Sequence, residues 1–229
     1  MQKGEIKKKN LLETAEKLFF EKGYHQTSIQ ELVDAFHCTK GSFYHHFESK
    51  LQILSEVCAL RSGKAFEAYK VRSYVRPMDR LNGLLYYAMP FRHGQEEMLT
   101  LLLPVADQSE KDVVLQAILR SQEELFLPEI EEVLEQLKAD GTVFYSEKML
   151  IRLLWDSYSA LYGRLLDLAG KIAAGDPGIG VASNLQAARF MWERLLDAPF
   201  AGIQIVGADE VILAVRSAAL RAKAREEEQ

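Results

Sequence analysis

The sequence predicts an all-α protein, and three observations carry that expectation. Apolar residues recur at helical spacing, as at Leu11, Ala15, Leu18 and Phe19, and again at Leu51, Leu54, Val57 and Cys58. Alternation with a period of two is scarce: "FAGIQIVG" at 200–207 reads as a strand, and one strand makes no sheet. Helix punctuation, by contrast, runs along the whole chain.

The elements follow in order. A first helix ends at Gly23. Thr27-Ser28 opens a second, roughly 28–36, with Glu31 three residues after Ser28 as a capping box requires. After a turn of two or three residues a third helix covers 40–45, with Thr39 placed as its N-cap. Another starts at Lys50, and Pro77 sits where a helix can begin. Pro90 and His93-Gly94 interrupt an apolar run. Ser109 precedes a long helix that Pro128 should kink or split and that Gly141 closes. A helix over 146–173, the loop "GDPGIG" at 175–180 and a helix near 183–198 come next. A last helix runs from about 208 and frays into "REEEQ".

Composition excludes several classes. The 229 residues are apolar and charged in ordinary globular proportions, which argues against disorder outside the ends. Two cysteines, Cys38 and Cys58, are too few for a disulfide framework and suit a reducing cytoplasm, where both read as buried small hydrophobes. No signal-peptide core is visible, and "LNGLLYYAMPF" at 81–91 is too short to span a bilayer, so a membrane partner is not expected.

The net charge of −5 conceals an asymmetry. Residues 1–50 hold eight Lys/Arg against seven Asp/Glu; the remainder holds twenty against twenty-six. Four of the five histidines also lie in those first fifty residues. A local basic face, not the mean charge, decides whether a protein meets nucleic acid.

Two short helices across so tight a turn form a helix-turn-helix. Ile29, Leu32, Val33 and Phe36 face inward from the first of the pair, and Phe43 and Phe47 pin the second. The cap at Thr39 leaves Lys40, Gly41 and Ser42 in the first turn of the following helix, whose N–H groups and dipole favour an anion. Tyr44 and His45 come one turn later on the same side. Lys50, after Ser49, offers a second helix start with a positive charge beside it. The stretch "TKGSFYHHFESK" at 39–50 thus reads as a recognition helix between two phosphate clamps.

Other chemistries lack their residues. His45 and His46 are adjacent and diverge by about 100° around a helix, without any Cys-x-x-Cys or His-x-x-x-His, so no metal or other cofactor is expected. There is no Glu-x-x-His pair for a di-iron bundle, no His-Glu-x-x-His and no Gly-x-Ser-x-Gly. "GRLLDLAGKI" at 163–172 has the wrong spacing for a phosphate loop and lacks Ser or Thr after its lysine.

Residues 11–54, "LLETAEKLFFEKGYHQTSIQELVDAFHCTKGSFYHHFESKLQIL", resemble the DNA-binding domain of the TetR family of bacterial transcription regulators. The matches are ordered: the Ala15–Leu18–Phe19 face, Gly23-Tyr24, Thr27-Ser28, the run Lys40 to Phe47, and Ser49-Lys50. Two departures stand at the turn, where the family carries a small residue and then Gly and this chain has Phe36 and His37. Histidine enters positive φ at modest cost, so the turn should survive, slightly strained.

The resemblance implies a division into a DNA-binding part, 1–50, and an effector-binding and dimerisation part, 51–229. It implies a cytoplasmic homodimer that binds a palindromic operator and is released, as a repressor, by an unidentified small molecule. Under it, Ser42, Tyr44 and His45 meet bases, and Thr27, Thr39, Lys40 and Lys50 hold phosphates of double-stranded DNA, with Gly41 in the same turn. His46 becomes structural, and Lys7–Lys9 either an arm on the DNA or a solvated run. Effector candidates are the helix face Trp155, Tyr158 and Tyr162, with Phe66, Tyr69, Tyr86, Tyr87, Met89 and His93; an ordinary core would use the same aromatics. Dimer candidates are Leu154, Ser157, Leu161, Leu165 and Leu168 on one helix and Ala187, Phe190, Met191, Arg194 and Leu195 on the next. Ser157, Ala160 and Gly163 are small enough for close helix approach. The competing classes are a helical enzyme and a helical adaptor without a DNA-binding role.

Overall fold

A computed structural model of the chain describes residues 3–106 and 110–227. Among them are ten α-helices, a 3₁₀ turn at Leu103–Val105 and no strand. The helices are α1 (Lys3–Lys22), α2 (Ile29–Ala35), α3 (Lys40–His46), α4 (Lys50–Lys70), α5 (Pro77–Ala88), α6 (Glu96–Leu102), α7 (Lys111–Ala139), α8 (Met149–Ala173), α9 (Ile179–Leu195) and α10 (Ala208–Glu227). The all-α expectation holds.

Helix ends fall where the local chemistry asks. Pro77 is the first residue of α5. Gly141 takes φ +76° and ends α7 in a Schellman turn, with its N–H on Lys138 O and that of Thr142 on Leu137 O. Gly178, at φ +84°, precedes α9. That helix starts four residues before the sequence expectation.

Four expectations need correction or restriction. Pro128 neither splits nor ends α7, which continues through it. The residue is exposed, so the carbonyl of Glu124, deprived of its N–H partner, faces water at little cost. The stretch 200–207 is an irregular loop, not a strand. Asn82 of α5 supplies the pairing a neighbouring strand would have given: its Nδ2 donates to Gly202 O (3.0 Å), and its Oδ1 accepts from Gln204 N (2.8 Å). The basic run 7–9 lies within α1, not on an extended arm. Ser109 and the last two residues of "REEEQ" lie outside the described residues, although α10 itself reaches Glu227.

Packing places α4 at the centre. It lies along α7, with α5 against both, and α1 docks on it. Helix α8 pairs with α9, while α10 packs on α6, α8 and α9. Leu84, Ile118, Phe126, Val133, Leu165 and Leu166 are fully buried between these layers. No helix among the described residues is long and apolar enough to cross a membrane.

Helix α1 is tied to the bundle by ions as well as contacts. Glu16, buried on α1, accepts from Arg61 Nε and from Lys64 Nζ of α4 (2.8 Å for the lysine). Arg61 also reaches Glu97 of α6 and stacks over Phe20. One guanidinium thereby joins three helices.

Candidate nucleic-acid interface and bundle interior

The helix-turn-helix is built by local hydrogen bonds. Ser28 Oγ accepts from Glu31 N (3.2 Å), and Glu31 Oε2 accepts from Ser28 N (2.8 Å), completing the capping box. Lys22 pairs with the same carboxylate, and together these contacts hold the Glu31 pKa down at about 2. At the other end of α2, His37 adopts φ +49°. Its N–H bonds Asp34 O and that of Cys38 bonds Val33 O, a Schellman turn with histidine in the glycine position. The turn survives the missing glycine, as expected.

Thr39 Oγ1 accepts from Ser42 N (3.2 Å) and starts α3. Phe36, Phe43 and Phe47 close an aromatic triangle, with ring centroids 6.0–6.3 Å apart, that fixes α3 on α2. Phe36 is larger than the residue the resemblance leads one to expect, and it fills this triangle. The opposite face carries Lys40, Gly41, Tyr44 and His45 exposed, with Ser42 half-buried. Tyr44 is 52% exposed and lies edge-on to Phe43, an aromatic held rigid yet open to solvent.

Two of the proposed phosphate contacts are otherwise engaged. Thr27 is completely buried, and its Oγ1 donates to Gly23 O (2.8 Å). Lys50 Nζ donates to the carbonyls of Tyr24 (2.9 Å), Thr27 (3.0 Å) and His25 (3.3 Å) and lies 4.6 Å from the Tyr24 ring centre. Three acceptors use all the N–H groups an ammonium has. Lys50 is therefore a clip on the α1–α2 turn, not a free clamp. Partial burial lowers its pKa, opposed by the charge of Glu110. Of the basic run, Lys8 pairs with Glu56 (2.7 Å); the side chain of Lys7 lies outside the described residues.

Residues 11–57 match the family model described as bacterial regulatory proteins, tetR family. The chain's N-terminal domain is a TetR-family domain. Its relatives include the transcriptional repressor KstR2 of Mycobacterium tuberculosis H37Rv, 33% identical over 90 residues; the match spans 37% of this chain and 45% of that protein. The Tn10 TetC protein of Escherichia coli is 50% identical over 46 residues, 20% of this chain and 23% of that one. The chain thus spans less than half the length of these curated relatives. Over nearly the full chain the fold resembles that of RolR in complex with resorcinol (TM-score 0.55, 16% identity, 93% of this chain and 95% of that one). Salmonella enterica GusR is similar at TM-score 0.51 and 16% identity, with 86% and 99% covered.

Behind the TetR-family domain the effector candidates separate into groups. Phe66 and Tyr69 belong to an aromatic stack with Phe126 and Tyr74, and the Tyr69 hydroxyl accepts from Arg80 Nε (3.3 Å). Met89 is fully buried. Trp155 and Tyr158 stack on each other at 5.1 Å and line an apolar cavity of about 30 Å³, bounded also by Leu81, Leu85, Ile130 and Trp192. That volume holds a water molecule, not a ligand of ordinary size. His93 does not line the interior: its side chain is 87% exposed and its Nδ1 lies 3.0 Å from Glu96.

The interior also holds polar atoms without partners. The hydroxyls of Tyr158 and Tyr162 are buried and make no hydrogen bond, as does Gln122 Oε1. Burial raises the pKa of both tyrosines well above the ordinary phenol value, so they stay protonated. Arg92, which the sequence reading passed over, is 6% exposed. Its guanidinium stacks over Tyr87 (4.6 Å) and Tyr86 (5.1 Å), and its Nη1 donates to His93 O (3.4 Å). Its Nε and Nη2 have no partner. The available signal was a lone cation at the end of an apolar run, "LLYYAMPFR".

The dimer candidates divide as well. Leu154, Leu161 and Leu165 are buried in the chain's own core and have no surface left for a second copy. Gly163 faces Leu115 of α7. Ser157 accepts from Trp192 Nε1 (2.7 Å), and with Leu168 and Leu195 it sits half-buried, Ser157 and Leu168 along the α8–α9 seam. Ala187, Phe190, Met191 and Arg194 are exposed, with Phe190 at 58% beneath the Arg194 guanidinium. Sequence reasoning missed Leu153, an exposed apolar residue on α8.

Proposed function

We propose that the protein is a DNA-binding transcription regulator that acts as a homodimer on a palindromic operator and is released by a small-molecule effector. One observation carries the reading: a TetR-family α2–turn–α3 whose outer face presents Lys40, Gly41, Ser42, Tyr44 and His45 together. In a twofold dimer two such helices enter successive major grooves. Lys40 and the capped start of α3 hold phosphate, while Ser42, Tyr44 and His45 meet base edges. Thr27 and Lys50 contribute by shaping the turn.

Residues 1–50 form the DNA-binding part in this reading and 51–229 the effector and dimer part, with α4 joining them. The second copy packs on the exposed face of α8 and α9, where Leu153, Ala160, Phe190 and Met191 offer apolar and small surface. RolR supports the effector half, since a chain of this fold holds resorcinol. An effector shifts DNA affinity only as far as it binds the released and DNA-bound states differently. The name of the KstR2 relatives favours repression.

The test is binding of the purified chain to palindromic fragments from its own upstream region across a salt series. Tight, sequence-selective binding that weakens steeply with salt and is lost in Tyr44→Ala supports the regulator. A folded dimer that binds no fragment at low salt returns the chain to the helical enzyme or adaptor classes.

A further inference from the structure

We propose that Arg92, with Tyr158 and Tyr162, forms the anion-binding end of the effector site, and that the effector is a small organic carboxylate with an apolar body. The inference rests on the effector-release reading and names the ligand class it requires.

A buried polar atom without a partner is rare in a folded protein, and a buried charge without one is rarer. Among the described residues seven such atoms occur; Arg189 Nε and Glu193 Oε1 face each other along α9, and the other five belong to Arg92, Gln122, Tyr158 and Tyr162, around the segment 88–92. Gln122 Nε2 donates to Ala88 O (2.6 Å), leaving its Oε1 orphaned beside that segment. The Phe91 ring meets that of Tyr162 at 5.4 Å. The charge of Arg92 acts on Tyr158, and Tyr158 in turn acts on Tyr162, one helical turn away on α8.

The pattern of vacancy on Arg92 is specific. Its Nη1 is occupied, whereas Nε and Nη2 make no hydrogen bond of good geometry; the Tyr86 hydroxyl adds support to the charge. Those two N–H groups form the side edge of the guanidinium, two parallel donors spaced to match the oxygens of one carboxylate. Glu210 makes no ion pair with this edge: its Oε1 accepts from the Tyr86 hydroxyl (2.7 Å) and the His93 N–H (3.0 Å), and its charge supports that of Arg92 only from a distance. The Tyr162 hydroxyl, whose ring meets that of Phe91 next to Arg92, and the Tyr158 hydroxyl one turn away on α8 are two further unpartnered groups able to donate to the same anion. The body of the ligand has a direction to follow, because the Tyr158 side chain also lines the apolar cavity bounded by Leu81, Leu85 and Trp155. That cavity must widen to admit it, and this gives the ligand a differential affinity for a second conformation.

The widening has a route to the DNA-binding part. Arg92 lies four residues before α6, and α6 carries Glu97, the partner of Arg61, which also holds Glu16 of α1.

The experiment titrates the full chain with benzoate, phenylacetate and hexanoate, each beside its amide, by calorimetry and thermal shift. At least one acid binds and stabilises the chain, and its amide binds at least about thirtyfold more weakly, the cost of losing a buried charged pair. Arg92→Met loses the acid by a similar factor, and Tyr162→Phe weakens it severalfold. Free Arg92→Met melts within about 4 °C of the parent, because the desolvation cost of the buried charge it removes offsets the loss of two ring contacts and one long hydrogen bond. The proposal is overturned if no acid binds, if acid and amide bind alike, or if Arg92→Met binds the acid as the parent does. A fall of more than about 4 °C in the melting temperature of free Arg92→Met also overturns it, by marking the guanidinium as structural. Operator binding of the parent chain without acid is scored separately. Its absence alongside acid binding defeats the regulator and leaves the site, whereas its presence without acid binding does the reverse.

Discussion

Arg61 of α4 donates through Nε to the carboxylate of Glu16 on α1 while both side chains are nearly withdrawn from solvent, at 13% and 8% exposure. Breaking one partner of such a pair leaves the other charge partly buried. Glu16→Ala is expected to cost about 3 kcal/mol in chemical denaturation, the lower end for a buried pair because Arg61 keeps Glu97. Glu97→Ala, whose carboxylate is 55% exposed, should cost less than about 1 kcal/mol.

Lys50 and Lys40 should differ in a way a motif match would not foresee. The Lys50 ammonium is used up by three carbonyls, whereas Lys40 is exposed at the start of α3. Lys40→Met is expected to reduce the slope of log affinity against log salt by about one and leave stability within about 0.5 kcal/mol. Lys50→Met is expected to leave that slope nearly unchanged and to cost about 2 kcal/mol of stability, from lost charged hydrogen bonds. Melting curves with salt-dependent DNA binding separate the two.

Acid should loosen the start of α2. Lys22 first, and then the Ser28 N–H and hydroxyl, hold the Glu31 pKa down from 4.5 to about 2. A carboxylate lowered on folding stabilises fully above its unfolded pKa and loses that contribution as pH falls through the folded one. The contribution of this capping box should therefore decline from about pH 4.5 and be gone below about pH 2. A carboxyl carbon titration by NMR that places the Glu31 midpoint near 4.5 would contradict the geometry.

His37 holds a left-handed conformation at the helix-turn-helix, φ +49°. His37→Gly removes the steric cost and is expected to stabilise by up to about 1 kcal/mol, less the greater freedom gained by the unfolded chain. His37→Val places a β-branched residue there and should cost more than about 1 kcal/mol. Thermal unfolding of the pair is enough to decide.

Phe190 is 58% exposed on α9. If this face meets a second copy, Phe190→Asp converts the dimer to a monomer in sedimentation at micromolar concentration. The folded monomer should keep its helical content, since the residue contributes little to its own core. A dimer that persists unchanged would move the interface elsewhere.

The helix-turn-helix was legible because its determinants are local. The caps of Ser28 and Thr39 and the aromatic face of Phe43 and Phe47 lie within a turn or two of what they satisfy. The fate of Lys50 was not, since its acceptors come from the backbone of the α1–α2 turn, up to 26 residues away; Thr27 bonds Gly23 only one turn back, but its complete burial is decided by packing. On α8, periodicity marked Leu154, Leu161 and Leu165 as apolar without saying which neighbour they bury against. That α7 would run on through Pro128 was not legible, because the cost of a proline there depends on solvent at one face, which only tertiary packing decides. Arg92 stood in plain view, but a cation in an apolar stretch acquires meaning only once its neighbours are seen to leave two donors empty.

Helix α4 begins at the recognition helix and ends among the aromatics of the bundle without a break over 21 residues. Its length is about 31 Å at 1.5 Å per residue, so a tilt of only about 5° at the Tyr69 end moves the Lys50 end by about 3 Å. That displacement is as long as a hydrogen bond. On the proposed reading, a rigid rod of this length turns a small tilt among the interior aromatics into a shift at its Lys50 end large enough to undo a hydrogen-bonded layer.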